Sequence, residues 1–139
     1  MTRILLIDDE EQIRSTIGAL LRASGYEVST AADGRAGVSL FEREPHDLVI
    51  TDVLMPVMGG ADVIATLRRL RPELRIIATY GGGLVSGTES VATAQSLGAD
   101  RLLVKPFTLA ELKVAIAAAL GTPGGEPPAH DAPPTPGAQ

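Results

Sequence analysis

Acidic residues stand directly after two apolar runs of the chain. Asp8 and Asp9 follow the run "ILLI", and Asp52 follows the run "LVIT". Carboxylates repel one another and lose solvation at the end of a buried segment, so a chain that gathers them needs a positive partner. Lys105 follows a third apolar run, "RLLV", and offers one positive charge. If these residues converge, they predict a site that holds a divalent cation.

Mg²⁺ suits such a site because it typically takes one or two carboxylates and keeps several waters. The ion would polarise a phosphoryl group, and Lys105 would add a point-charge contact to the same phosphate. The chain has no cysteine and no serine at a nucleophile elbow, so an aspartate that forms an acyl phosphate is the expected nucleophile. Asp52 is favoured because it stands alone, whereas the adjacent Asp8 and Asp9 suit metal binding better.

Short apolar runs alternate with amphipathic helical segments over about 120 residues. The five predicted strands are Ile4–Ile7, "YEVST", "DLVIT", "RIIATY" and "RLLV", and a helix is predicted after each, including "TESVATAQSLG" and "TLAELKVAIAAAL". Strands that are apolar on both faces indicate a parallel sheet covered by helices on both sides, a doubly wound α/β fold. Such sheets place their sites at the carboxyl ends of the strands, where the acids and the lysine stand.

The folded domain is predicted to span residues 1–121. Residues 122–139 are rich in Pro and Gly and contain no Leu, Ile, Val or aromatic residue. Such a segment cannot bury enough apolar surface to offset its ordering entropy, so it is predicted to be a disordered C-terminal tail or the start of a linker.

Charge and composition exclude several classes of function. The net charge is −5, and the chain has no Trp, two Tyr and two Phe, so neither an electrostatic footprint nor a stacking platform for nucleic acid is present. No apolar run approaches the roughly 20 residues of a membrane helix. The N-terminus lacks a small-residue cleavage site, and a cytoplasmic protein is expected.

Three motifs in order resemble the receiver domain of two-component response regulators. They are "IDDE" after the first strand, "VITDVLMPVMGG" around the third and "LLVKPF" after the fifth. The resemblance covers roughly residues 1–121. It implies a flavodoxin-like (β/α)5 fold, a five-stranded parallel sheet with strand order 2-1-3-4-5. It also implies that the domain receives a phosphoryl group from a sensor histidine kinase or a histidine phosphotransferase.

The resemblance also assigns roles to individual residues. Asp52 would be the phosphoacceptor, and Lys105 would bind the phosphate. The Mg²⁺ ligands would be Asp8, Asp9, Asp52 and the backbone carbonyl of Leu54. A cis peptide bond is expected before Pro106. Asp9 alone also fits a helix N-cap with Gln12 three residues on, which is the simpler alternative.

Two positions depart from the family pattern. The fourth strand normally ends in Ser or Thr, whose hydroxyl bonds the phosphate, and here Tyr80 occupies that position. Thr79 is one residue away, and strand alternation turns it to the other face. The second position is three residues before Lys105, where an aromatic is common and Leu102 stands instead. We therefore expect phosphorylation to proceed and the conformational response to be altered.

The expected output is contact with another protein rather than catalysis. The family commonly uses the face that corresponds here to Thr88–Leu97, Arg101–Val104 and Leu109–Leu120, and a homodimer is left open. No enzymatic activity is expected beyond the phosphorylation and dephosphorylation of the chain itself. One alternative is a degenerate receiver that acts as a constitutive scaffold. Another is a Mg²⁺-dependent aspartyl-phosphate hydrolase, but Leu54 stands where that enzyme needs a general acid.

Two further features have simple interpretations. His46 follows Pro45 and is predicted to be a solvated loop residue. The segment "LRRLR" places three arginines on the outer side of a helix, where a solvated face is expected.

Overall fold

The structure is a computed structural model that describes residues 2–53, 55, 57–81 and 98–121. In chain order its elements are β1 (Arg3–Ile7), α1 (Glu11–Ala23), β2 (Glu27–Ala31), α2 (Gly34–Arg43), β3 (Leu48–Asp52), α3 (Gly60–Leu70), β4 (Arg75–Gly81), β5 (Arg101–Lys105) and α4 (Leu109–Leu120). The predicted helix "TESVATAQSLG" and the predicted tail lie outside the described residues, apart from Gly98. No helix in the described ranges is long and apolar enough to cross a membrane.

The five strands form one sheet in the order β2-β1-β3-β4-β5, and every neighbouring pair is parallel. The predicted doubly wound α/β fold and its strand order 2-1-3-4-5 are therefore confirmed. β1 and β3 are buried almost throughout, which is why their sequences are apolar without alternation.

The core consists of two clusters, one on each face of the sheet. Alternate strand residues such as Leu6, Ile50 and Ile77 pack with α1 and α4, and the intervening residues, such as Leu5 and Val49, pack with α2 and α3. Because successive side chains of a strand point to opposite faces, five short apolar runs supply both clusters. Both faces of the central strands are thus covered, and the polar residues Asp52 and Lys105 stand at the carboxyl ends of β3 and β5.

Helix ends follow from local sequence. Thr108 accepts a hydrogen bond from the Glu111 backbone N–H, and the Glu111 carboxylate accepts one from the Thr108 N–H, which forms a capping box at the start of α4. Gly25 follows α1 with a φ of 101°, a left-handed conformation that glycine adopts without strain.

A close backbone approach explains the glycine that opens α3. The Gly60 N–H donates to the Val53 carbonyl at 2.8 Å. A Cβ at position 60 would stand 2.5 Å from the Asp52 carbonyl oxygen and 2.6 Å from the Val53 Cα. Only glycine fits there, and its fit lets α3 start directly beneath the end of β3.

The prediction of a solvated arginine face is wrong for Arg68. Its guanidinium donates to the Gly98 carbonyl at 2.8 and 3.0 Å, to the Pro72 carbonyl at 2.9 Å, and to the Asp100 carboxylate at 2.9 Å. It also donates to the Leu74 carbonyl. A planar fork with several N–H groups can satisfy several carbonyls at once, so Arg68 ties the end of α3 to the start of β4 and to the turn before β5.

The prediction of a solvated His46 is also wrong, because only 1% of this residue is exposed. Its ring stacks on the ring of Phe41, with the two centroids 6.0 Å apart and an angle of 23° between the planes. The Arg71 guanidinium lies 5.7 Å from the centroid of the same Phe41 ring. Neither His46 nitrogen has a hydrogen-bond partner within the described part of the chain. Phe41 lies on α2 and Arg71 follows α3, and this packing between elements is not visible in the local sequence.

Candidate functional site

The carboxyl ends of β1, β3 and β5 bring three of the predicted site residues together. Lys105 Nζ lies 2.9 Å from Asp8 Oδ2 and 3.2 Å from Asp52 Oδ2. Lys105 is 97 positions from Asp8 and 53 from Asp52 in the chain, and the parallel pairing of their strands makes them neighbours. The predicted convergence at one edge of the sheet is therefore present.

Asp9 completes an acidic cluster with Asp8 and Asp52. One carboxylate oxygen from each of these residues can be chosen so that all three oxygens lie within 4.8 Å of one another. Asp8 and Asp52 are 2% and 6% exposed, whereas Asp9 is exposed. An all-oxygen set with one open side fits a hard cation such as Mg²⁺, which keeps part of its water shell. Leu54, whose carbonyl is the fourth predicted ligand, lies outside the described residues.

Burial and charge act in opposite directions on the ionisable groups of the site. Burial raises the pKa of Asp52 above its usual value, and the nearby Lys105 ammonium only partly offsets this increase. Burial alone would lower the pKa of Lys105, but the hydrogen bond to Asp8 and the charge of Asp52 outweigh it, so that this pKa is raised. One ammonium therefore remains charged among three carboxylates, and the excess negative charge favours a bound cation.

The backbone around Asp8 is held by three hydrogen bonds. Asp8 Oδ1 accepts from the Glu10 N–H at 2.9 Å, the Asp8 carbonyl accepts from Arg14 Nη1 at 2.8 Å, and the Asp8 N–H donates to the Ala31 carbonyl at 3.2 Å. Sequence reasoning missed Glu10 and Arg14. Glu10 could have been noticed from its position beside the acid pair, whereas nothing in the local sequence points to Arg14.

The alternative role of Asp9 as a helix N-cap is wrong. The N-cap residue of α1 is Glu10, and its side chain makes no capping hydrogen bond. Asp9 therefore precedes the cap and remains exposed beside the cluster. At the other end of the site, the peptide bond between Lys105 and Pro106 is cis, as the resemblance implies.

The register of β4 places Tyr80 and Thr79 on different faces. Thr79 pairs with Asp52 across the β3–β4 ladder, so Thr79 and not Tyr80 shares the face of Asp52, which differs from the expectation that Thr79 turns away from the site. Tyr80 is 4% exposed and pairs with Val104 on β5. Leu102 is partly buried against the cluster that packs on α2 and α3. The effect of these two departures on switching stays a prediction.

Comparison with known proteins identifies the class. The family model of the response regulator receiver domain matches residues 4–117, and the chain belongs to this family. The chain is 38% identical over 118 residues to "Probable transcriptional regulator ycf27" of Porphyridium aerugineum, covering 85% of this chain and 48% of that protein. It is 34% identical to "Transcriptional regulatory protein PrrA" of Mycobacterium tuberculosis, with 85% and 49% covered. The chain thus spans about half the length of the curated relatives it matches.

Solved structures agree with this assignment. A response regulator receiver domain protein from Clostridium thermocellum superposes with a TM-score of 0.78 at 34% identity, covering 86% of this chain and 94% of that one. The response regulator TrrA from Thermotoga maritima, solved in complex with Mg²⁺ and BeF, superposes with a TM-score of 0.74 at 33% identity, covering 84% and 96%. This chain is therefore a receiver domain of the two-component type, a family in which a histidine kinase supplies a phosphoryl group.

Proposed function

We propose that Asp52 is the phosphoacceptor of this chain and that its phosphorylation requires Mg²⁺ held by Asp8, Asp9 and Asp52. The donor is the phosphohistidine of a sensor histidine kinase or of a histidine phosphotransferase. The observation that carries the proposal is the pair of hydrogen bonds from Lys105 Nζ to Asp8 and Asp52, at 2.9 and 3.2 Å, beside the three clustered carboxylates. The Mg²⁺ named in the structure of TrrA supports the same choice of ion.

Each side chain has a separate task in the transfer. A carboxylate oxygen of Asp52 attacks phosphorus while the bond from phosphorus to the histidine nitrogen breaks, and the nitrogen keeps the electron pair. Lys105 is already beside Asp52 and turns its ammonium toward the phosphoryl oxygens. Asp8, Asp9 and Asp52 would hold the Mg²⁺, which would supply charge neutralisation to the phosphoryl group. The burial of Asp52 excludes bulk water, which strengthens these electrostatic contacts.

We further propose that the output is contact with another protein. The described parts of the expected surface are Arg101–Val104 and Leu109–Leu120. They expose Val104 and Val114, which are 41% and 69% accessible, and Ala110 and Ala117 of α4 are exposed beside the charged Glu111 and Lys113. Exposed apolar residues on the outer side of a helix, with charged residues beside them, are typical of a surface that a partner covers. The third part of the surface, Thr88–Leu97, lies outside the described residues.

The remaining parts of the proposal concern activity and location. Leu54 follows Asp52 by two residues and has no group that transfers protons, which supports the absence of catalysis on external substrates. A cytoplasmic location, usual for receiver domains, and the possibility of a homodimer belong to the same proposal.

Phosphorylation with a small donor tests the proposal. The protein is incubated with acetyl phosphate, with Mg²⁺ or with EDTA, and its intact mass is measured. We expect one added phosphoryl group in the wild type with Mg²⁺, and none with EDTA or in Asp52→Asn. Asp62→Asn is the matched control, because Asp62 is an exposed aspartate in the first turn of α3. Equal labelling of Asp52→Asn and Asp62→Asn would refute the assignment.

A further inference from the structure

Lys105 has a third carboxylate partner, Glu10, which is not among the predicted Mg²⁺ ligands. Glu10 Oε1 lies 3.6 Å from Lys105 Nζ, in addition to Asp8 and Asp52 at 2.9 and 3.2 Å. The Glu10 side chain is 60% exposed, whereas the side chains of Asp8 and Asp52 are 3% and 8% exposed. Glu10 therefore contacts the lysine from the solvent side of the site, opposite the buried acids.

Glu10 is free for this contact because it does not cap its helix. A residue at the N-cap of a helix usually accepts a hydrogen bond from a backbone N–H of the first turn. Glu10 is the N-cap of α1, and its side chain makes no such bond. Its carboxylate is directed to Lys105 instead, although the first turn of α1 would offer it unpaired N–H groups.

The backbone of Glu10 is fixed relative to the site. Its N–H donates to Asp8 Oδ1 at 2.9 Å, and the other oxygen of the same carboxylate accepts from Lys105. Asp8 thus joins Glu10 and Lys105 through its two oxygens. This arrangement holds the backbone of Glu10 next to the carboxylate that binds the ammonium.

We propose that Glu10 is a positioning residue for Lys105: it offers the ammonium a partner outside the metal ligand set. Asp8 and Asp52 can then bind a divalent cation while the Lys105 ammonium shifts outward to Glu10 at the mouth of the site. The inference rests on the proposed Mg²⁺ site, and it adds a residue that the ligand set of the family does not contain.

The physical reason is that the Lys105 ammonium and a divalent cation compete for the carboxylate oxygens of Asp8 and Asp52. Lys105 hydrogen-bonds one oxygen of each buried carboxylate, and a cation that binds these carboxylates meets a positive charge about 3 Å from them. The ammonium lowers its repulsion with the cation by shifting outward, and a carboxylate on the solvent side stabilises the shifted position. Without Glu10, Lys105 stays on Asp8 and Asp52, and the cation binds less tightly.

The test compares the Mg²⁺ affinities of Glu10→Gln and Glu11→Gln by isothermal titration calorimetry. Both variants remove one negative charge at the start of α1, but Glu11 makes no ion pair with any residue that the structure describes. We expect Glu10→Gln to weaken Mg²⁺ binding by about two- to five-fold, the range of an exposed ion pair. We expect less than about a two-fold change for Glu11→Gln. Equal changes in the two variants would overturn the proposal.

A double-mutant cycle separates an effect through Lys105 from a direct effect on the ion. In a Lys105→Met background, Glu10→Gln is expected to change Mg²⁺ affinity by less than about two-fold. An undiminished effect in that background would also overturn the proposal. Lys105→Gln replaces Lys105→Met if circular dichroism shows the latter to be unfolded. If the wild type does not bind Mg²⁺, the metal site itself is refuted. If the wild type binds Mg²⁺ and Glu10→Gln binds it equally well, only the role of Glu10 is refuted.

Discussion

Lys105 hydrogen-bonds the carboxylates of Asp8 and Asp52, and each of these three residues stands at the carboxyl end of a strand. Strand ends in a parallel sheet meet at one edge, so residue type and position were sufficient for these three. The contact of Glu10 with Lys105 could not be assigned in this way. It depends on where α1 begins, and helix boundaries shift by one or two residues without any strong feature in the sequence.

His46 shows the opposite case, a residue whose environment the sequence misrepresents. Burial lowers the pKa of its imidazole below the usual value, and the backbone of Glu44 together with its carboxylate, 4.0 Å from Nε2, offsets only part of this effect. Arg3 also disfavours the charged ring, and Asp47 favours it. The folded protein therefore prefers His46 neutral, and protonation is linked to unfolding.

The stability of the protein is consequently expected to depend on pH through His46. Its folded pKa lies below the unfolded value of about 6.5, so the unfolded chain binds more protons between these two values. The free energy of unfolding should fall as the pH drops from about 6.5 toward the folded pKa, by about 1.4 kcal/mol for each unit of pKa difference. Urea unfolding at several pH values measures this loss. In His46→Phe the loss should be smaller, and an identical pH profile of the two proteins would contradict the account.

At the scale of elements, all five strands were predictable, and their ends were displaced by about one residue. β3 and β5 include Asp52 and Lys105, although both residues are polar and their apolar runs end earlier. The ladder continues to these residues because Asp52 pairs with Thr79 and Lys105 with Gly81.

The environment of Arg68 also depends on contacts between elements. Its position on α3 was predicted correctly, but two of its partners, Gly98 and Asp100, come from the turn before β5, 30 and 32 positions later in the chain.

The junction between β3 and α3 yields a second prediction. Gly60→Ala places a Cβ within 2.6 Å of backbone atoms of Asp52 and Val53, and backbone atoms cannot move aside as a flexible side chain can. We expect a loss of about 1–3 kcal/mol in unfolding free energy, as for other overpacked sites, together with weaker phosphorylation because Asp52 is displaced.

Gly59→Ala is the matched control for this junction. A Cβ at Gly59 would meet its nearest neighbour at 3.7 Å, an ordinary contact, and the φ of this residue is −71°. The expected loss is about 0.5–1 kcal/mol, from the weaker preference of alanine for the N-cap. Chemical denaturation of both variants measures the difference. If Gly59→Ala were as destabilising as Gly60→Ala, the close approach at position 60 would not be the cause.

At the scale of the whole molecule, the class follows from the match between one sheet edge and one family. The strand order, the cluster of carboxylates and the hydrogen-bonded lysine occur together in a chain whose residues 4–117 match the receiver domain. The strand order alone would not identify the function, because one fold hosts many functions. Their combination at one edge is what supports phosphoryl transfer to Asp52.

Chemical mapping of the phosphoryl group tests this central claim most directly. The protein is treated with acetyl phosphate and Mg²⁺ and then reduced with borohydride, which converts an aspartyl phosphate to homoserine, and its peptides are sequenced by mass spectrometry. The account predicts homoserine at position 52, and none when EDTA replaces Mg²⁺. Homoserine at Asp8 or Asp9 with Asp52 unchanged, or the same yield in EDTA, would contradict it.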